Sequence, residues 1–385
     1  LVLISLDAET IKKKSWEINL GRLSLIVVFA FGGFIIAEIT LPGLAPSAWE
    51  RGVFVIPQSE VRYPKPYVMF GGEPNAAGLN RLGYPGPAPA EEKPAGEFRI
   101  FILGGSTVFN HPGSIASALQ DAYHRNGDDH VRVFNFGVVS SVSGMDLARI
   151  VYEVADHQPD LIIMYNGGND LLNNWGREDR PGYPFDFVYT ENNPLLYLSD
   201  PTAAERDRYQ GWTLFLLESR LLRRLLKDDL EEALIKRKLR PNDLGAPGSP
   251  QWQQALAATY IKHLALGHRV AKGLEARFLG VFQPILFFKT PHVGRERQIN
   301  AYLENTDWGR QRKRGAHEMR AMITEGMRRL RDTEGMDLLD LSALFSKRRD
   351  AVFTDQIHIT ETARAAVGKA IFEHLERAGI GAGNL

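Results

Sequence analysis

From Phe98 onward, apolar runs of strand length alternate with helix-period patterns, and this alternation narrows the available folds more than any other feature. The spacing predicts a strand near 98–104, a helix near 113–126, a strand near 131–137, a helix near 144–157 and a strand near 160–166. Strands and helices alternating at these lengths pair into a parallel sheet with helices on both faces. The pattern breaks at 171–250. There a Pro- and aromatic-rich stretch (Trp175, Tyr183, Pro184, Phe185, Phe187, Tyr189) precedes an amphipathic helix bearing Leu214, Leu217, Leu221, Leu225 and Leu234. We expect an insertion lying over the site, with the leucine stripe serving as core. A helix near 251–276, a fourth strand at 279–284 and a fifth at 336–341 resume the α/β pattern. No internal repeat appears.

The first strand ends abruptly. Ile100 to Leu103 run into Gly104, Gly105 and Ser106, which delivers a hydroxyl to the C-terminal edge of the sheet, where open α/β folds build their sites. Near the far end, Asp355 precedes His358 by three residues, in a loop ahead of the last helical stretch. An imidazole can act as a base, and a carboxylate beside it can fix its tautomer. Serine acyl transfer also needs donors where charge develops on the carbonyl oxygen. Gly137 ends the second strand and Asn169 follows the third, so the Gly137 amide, the Asn169 side chain and the Ser106 amide are the candidate oxyanion donors. Singly, each motif reads as an ordinary turn or cap. Their order, with each at a strand end or in a loop, points to chemistry.

In that order, Gly104-Gly105-Ser106, Gly137, Gly168-x-Asp170 around Asn169, and Asp355-x-x-His358 resemble the four signature blocks of the SGNH (GDSL-like) hydrolase superfamily, over residues 76–375. The resemblance implies a flavodoxin-like three-layer α/β/α fold with a central parallel sheet. It also implies Ser106 as nucleophile, His358 as base, Asp355 as its orienter, and Ser106, Gly137 and Asn169 as the oxyanion hole. Asn80-Arg81-Leu82-Gly83-Tyr84 and Gln283-Pro284 are similar to a membrane-anchored bacterial subgroup. One departure stands out: the family's usual Gly-Asp-Ser is Gly-Gly-Ser, so Gly105 stands where an acid is expected.

Other chemistries find less support. Lys plus Arg and Asp plus Glu number 46 each across 385 residues, which gives no basic field for nucleic acid. The absence of cysteine excludes disulfides and thiolate catalysis. Gly104 and Gly105 lack the spacing and the trailing lysine of a phosphate loop. His263 and His268, five apart, do not share a helix face, so no metal site is expected. His111 reads as a solvated loop histidine, and the basic residues Arg310 to Arg314 as a solvated loop.

Leu23 to Ala37 carry no charge, and the apolar stretch continues to about Leu44, long enough for a tilted membrane helix. Lys12, Lys13, Lys14 and Arg22 precede it, which orients residues 1–22 to the cytoplasm and the main domain to the periplasmic or extracellular side. Pro46-Ser47-Ala48 is a poor cleavage site, so the anchor at 23–44 is expected to be retained. Residues 45–97, rich in proline, read as an extended lead-in to an SGNH-like domain at 98–385.

Two function classes fit these features. One is a membrane-anchored extracytoplasmic esterase or deacylase, which hydrolyses or transfers O-acyl esters on a glycan or envelope polymer and needs no cofactor. The other is a scaffold subunit of a membrane-protein complex, in which the hydrolase fold supplies contact surface. Lipase action would need the leucine helix to face the bilayer.

Overall fold

The computed structural model describes residues 8–40, 63–110, 113–172, 180–184, 219, 221 and 244–380. The chain forms two compact units. One comprises Leu1–Pro57 and Asn192–Arg237, the other Gln58–Glu191 and Lys238–Leu385.

In the first unit, helix α1 spans Ala8–Thr40. Leu25 to Phe29 are consecutive and all exposed. Successive helical residues point about 100° apart, so the apolar surface runs around the helix instead of forming a stripe. Among the described residues no helix is long and apolar enough to cross a membrane. The rest of the expected 23–44 span runs past α1, outside the described residues. Glu38, the one carboxylate of this stretch, accepts bonds from Ser219 Oγ at 2.5 Å and Leu221 N at 3.0 Å.

The second unit is built on a five-stranded sheet. A hairpin, β1 (Tyr63–Lys65) and β2 (Met69–Gly71), precedes it. The sheet strands are β3 (Phe98–Gly104), β4 (Val131–Gly137), β5 (Leu161–Asn166), β6 (Arg277–Phe282) and β7 (Asp337–Asp340). All neighbours are parallel and the order is β4-β3-β5-β6-β7. Renumbered within the sheet this is 2-1-3-4-5, the flavodoxin-like order.

Every residue of β3 is buried, as a central strand covered on both faces requires. Successive side chains alternate between faces. Ile100, Ile102, Val131, Val133, Leu161 and Ile163 pack beneath helices α3 (Ile115–Asn126) and α9 (Glu361–Arg377). Phe101, Phe136, Met164 and Phe282 face the opposite layer. That layer contains α4 (Ser143–Arg149), α6 (Pro250–Gly273) and α8 (Asp307–Glu334). Two short helices, α2 (Ser106–Phe109) and α5 (Gly168–Leu172), sit at the upper edge, and α7 (Arg295–Glu304) precedes α8.

The lead-in packs on the domain through side chains its sequence motif contains. Asn80 Oδ1 accepts from Leu82 N and Tyr84 N, closing a turn that stacks Tyr84 on Phe136. Buried Arg99 reaches back to the carbonyls of Ala90 and Glu92 and across to His157. Two expectations change. Arg310 to Arg314 form the first turns of α8 instead of a loop, because Thr306 caps the helix by accepting from Gly309 N at 3.0 Å. The helix expected at 144–157 is regular only to Arg149, continuing as a π turn over 150–154 and a 3₁₀ turn over 155–157. His111 and nearly all of the 171–250 insertion, including its leucine stripe apart from Leu221, lie outside the described residues.

Candidate active site

Sheet order explains where the site falls. The chain leaves β3 toward β4 on one side and then returns past β3 to β5 on the other. The crevice above β3 is therefore the topological switch point, where α/β sheets bind ligands. Ser106 opens α2 two residues after the end of β3, at that crevice.

Although 252 residues apart in sequence, Ser106 Oγ and His358 Nε2 lie 2.6 Å apart. On the other ring nitrogen, His358 Nδ1 is 2.5 Å from Asp355 Oδ2. Asp355 Oδ1 accepts the backbone N–H groups of Ile357 at 2.9 Å and His358 at 2.8 Å. This turn fixes both the carboxylate and the ring. Burial alone would raise the Asp355 carboxyl, but the His358 ring and the two backbone donors outweigh it and hold the group down at about 2. The carboxylate is therefore ionised at neutral pH. With Asp355 accepting at Nδ1–H, the imidazole turns a lone pair toward the serine hydroxyl, as a general base must.

The expected oxyanion donors divide. Asn169 is buried, and its Nδ2 donates to Ser141 O at 2.8 Å. A Cβ placed on Gly105 would come within 2.5 Å of that same nitrogen and 3.3 Å of Ser141 O. Gly105, Asn169 and the turn at 138–141 are thus in mutual contact.

Gly137 ends β4 against α2. Its N–H donates to Asn135 Oδ1 at 2.9 Å, and a Cβ there would lie 2.4 Å from Phe109 N. It is the floor on which α2 rests, and its amide is engaged inside the strand end. Sequence reasoning missed the turn beyond it. Ser140 adopts φ 65°, a left-handed conformation that costs free energy in a residue other than glycine and that clusters at functional sites.

A buried polar network underlies this surface. Asp146 and Arg149 are both fully buried and paired. Ser141 Oγ donates to Asp146 Oδ1 at 2.6 Å, Asn166 Nδ2 donates to Asp146 Oδ2 at 3.0 Å, and Arg149 Nη2 reaches Ser141 Oγ at 3.1 Å. The network centres on the Asp146 carboxylate. Sequence spacing could not reveal this, since its partners come from three elements. Among the described residues no three metal-ligating side chains converge, and His263 contacts a serine while His268 packs edge-on against Phe278.

No protein-family model and no curated protein sequence matches the chain. Solved structures do. A lipase/acylhydrolase from Enterococcus faecalis is 11% identical, with 73% of this chain and 96% of that one covered and a TM-score of 0.40. A GDSL-like lipase from Bacteroides thetaiotaomicron is 11% identical, covering 76% and 91%, with a TM-score of 0.37. A catalytic mutant of Axe2, an acetylxylan esterase from Geobacillus stearothermophilus, is 10% identical, covering 72% and 94%, with a TM-score of 0.38. At such identities and scores, the chemistry must be argued from the site itself.

Proposed function

We propose that the chain is a serine esterase or deacylase acting through Ser106, His358 and Asp355. One observation carries this reading: the Ser106–His358–Asp355 contacts of 2.6 Å and 2.5 Å, at the switch point of the sheet. His358 Nε2 takes the Ser106 proton as Oγ bonds to the ester carbonyl carbon. The carbonyl oxygen, now anionic, meets the Ser106 N–H and the Asn169 amide, with the 138–141 turn as the third wall. His358 then protonates the departing alkoxide, leaving an acyl-enzyme. Water, or a sugar hydroxyl, gives its proton to His358 and attacks the acyl carbon, and Ser106 recovers its proton. Asp355 keeps the ring in its Nδ1–H tautomer throughout.

The substrate class we infer is an O-acylated glycan or envelope polymer. We place the enzyme at the outer face of a membrane, anchored through the apolar run at 23–44. Support comes from the exposed apolar run in α1 and from the lysines at 12–14, which precede that run.

A serine-reactive fluorophosphonate tests the chemistry. The wild-type chain is expected to be labelled, and Ser106→Ala to lose the label. An unlabelled wild type would instead favour the scaffold role, with the hydrolase fold serving as contact surface for membrane subunits.

A further inference from the structure

A second chain of hydrogen bonds runs beneath the nucleophile and takes no part in the acyl-transfer steps. Asp170, in the first turn of α5, is fully buried. Its Oδ1 accepts Ser143 Oγ at 2.5 Å and Ser143 N at 3.0 Å, and its Oδ2 accepts Gly167 N at 3.3 Å. On its other side, Ser143 Oγ lies 2.8 Å from His263 Nδ1. The His263 ring is only partly buried. Cβ atoms on Gly144 and Gly182 would come within 3.0 and 3.1 Å of its Cε1, so α4 and the 180–184 stretch pack against it.

A hydroxyl has one hydrogen, so the chain has two internally consistent states. With Asp170 ionised, Ser143 donates to Oδ1 and must accept at Oγ, so His263 carries its proton on Nδ1. With Asp170 protonated, only Oδ1 faces an acceptor, because the neighbour of Oδ2 is the Gly167 N–H. Asp170 then donates to Ser143, Ser143 donates to His263 Nδ1, and the ring carries its proton on Nε2. One proton entering at His263 Nε2 drives the change: the Nδ1 proton passes to Ser143 Oγ, and the Ser143 proton passes to Asp170 Oδ1. The buried carboxylate is neutralised by a proton taken up at the ring, with no heavy atom moving in or out.

Both supports of Asn169 hang on this carboxyl. Asn169 is the residue before Asp170, and the carbonyl that holds its amide, Ser141 O, lies two residues before Ser143. An ionised Asp170 ties the Gly167 and Ser143 amides to itself; the neutral acid is a weaker acceptor for both. We propose that Asp170, Ser143 and His263 form a proton relay that positions Asn169 for catalysis, holding it in place when the relay is deprotonated and loosening it when a proton enters. All three are positioning residues, and the proposal builds on the esterase reading above.

The relay's surroundings are consistent with this. Asp146 and Arg149 flank it from α4, Tyr260 and Lys262 from α6, and Arg180 stacks on Tyr183 beside Gly182. Burial, with a smaller contribution from Asp146 and against the Ser143 bonds, lifts the Asp170 carboxyl to about 6. Burial and Lys262 lower His263 to about 4. Between these values an added proton resides on Asp170 and the ring stays neutral.

Two measurements test the relay. Imidazole ¹⁵N shifts should show His263 as the Nδ1–H tautomer at pH 7.5 and the Nε2–H tautomer at pH 5. Ser143→Ala should abolish the switch, and Ser143→Thr, which keeps the hydroxyl, should restore it. With p-nitrophenyl acetate as probe, Asp170→Asn should lower kcat about tenfold with KM within twofold, and should remove an acid-side ionisation near the Asp170 value. A His263 ring that keeps one tautomer across this range, or an acid limb unchanged in Ser143→Ala, overturns the proposal. The tautomer is readable in Ser106→Ala protein, so absence of esterase turnover and absence of the relay are separate outcomes.

Discussion

A Cβ at Gly105 would meet the Asn169 side chain before anything else. At φ −82° and ψ −157° the glycine backbone is open to every residue type, so the constraint is contact and not conformation. The contact is the Asn169 amide, 2.5 Å from the Cβ position. An amide at the end of a short side chain can turn away from the new Cβ, but it then gives up its bond to Ser141 O and the position from which the proposed mechanism has it meet the oxyanion. Gly105→Ala is therefore expected to lower kcat about 100-fold, the scale of losing one oxyanion donor, with the melting midpoint changed by no more than about 2 °C. Unchanged turnover in the alanine variant would remove Asn169 from the mechanism. Ser106, Asp355 and His358 were legible in the sequence because hydroxyl, imidazole and carboxylate stand at strand ends or in a late loop. The Gly137 N–H was read one residue at a time, as a candidate oxyanion donor. An Asn two positions before a glycine is an Asx-type turn, and Asn135 takes the Gly137 N–H in this way.

At the scale of elements, the loop from β7 to α9 must hold His358 within hydrogen-bond distance of Ser106 at the start of α2. It is braced by the Phe353–Ile359 bridge and by Leu286 N donating to Gln356 O. A buried glutamate secures its base. Glu296 Oε1 accepts Val352 N at 2.8 Å and Phe353 N at 3.0 Å, and Oε2 accepts Lys289 Nζ at 2.6 Å. Burial pushes the Glu296 carboxyl up, but Lys289 and the backbone donors of Phe353, Val352 and Val293 overcome it and hold it below the ordinary value. Glu296→Ala would strand a buried lysine and two loop amides. A loss of about 3–5 kcal/mol is expected in denaturant unfolding, with kcat reduced as well. Changing both partners, Glu296→Leu with Lys289→Met, should recover part of the stability, because the unpaired charge is gone while the loop amides remain unsatisfied. A cost below about 1 kcal/mol for the single variant would show that the pair does not brace the loop. The first three sheet strands were legible from apolar runs ending in glycine or asparagine, and the last two from their apolar runs alone. This brace was not, because pairing across a loop leaves no periodic trace. Likewise, Arg310 to Arg314 read as a loop because their charge masks the cap that Thr306 provides for α8.

For the whole molecule, alternating strands and helices sufficed to specify a parallel sheet covered on both faces, and the 2-1-3-4-5 order then places Ser106 at the switch point. Sequence pattern could not show that the chain divides into two units, with Asn192–Arg237 grouped with the N-terminal segment. That grouping depends on contacts distant in sequence, such as Ser219 with Glu38. It bears on the anchor, since bonds to Glu38 from outside the helix reduce the cost of a carboxylate in an apolar setting. If 23–44 holds the chain in a bilayer, the full-length protein should stay with the membrane pellet through an alkaline carbonate wash. Apolar residues each contribute about −0.3 to −0.6 kcal/mol to insertion, whereas an arginine at the helix centre costs about 2.5–3.5 kcal/mol. Two arginines, at Val27 and Phe31, would therefore offset about ten apolar residues, and the Val27→Arg/Phe31→Arg variant should be released by the same wash. Neither side chain belongs to the domain that carries Ser106, so phosphonate labelling of the released variant should match wild type. Release of the wild-type chain by carbonate would refute the anchor while leaving the Ser106–His358–Asp355 chemistry untouched.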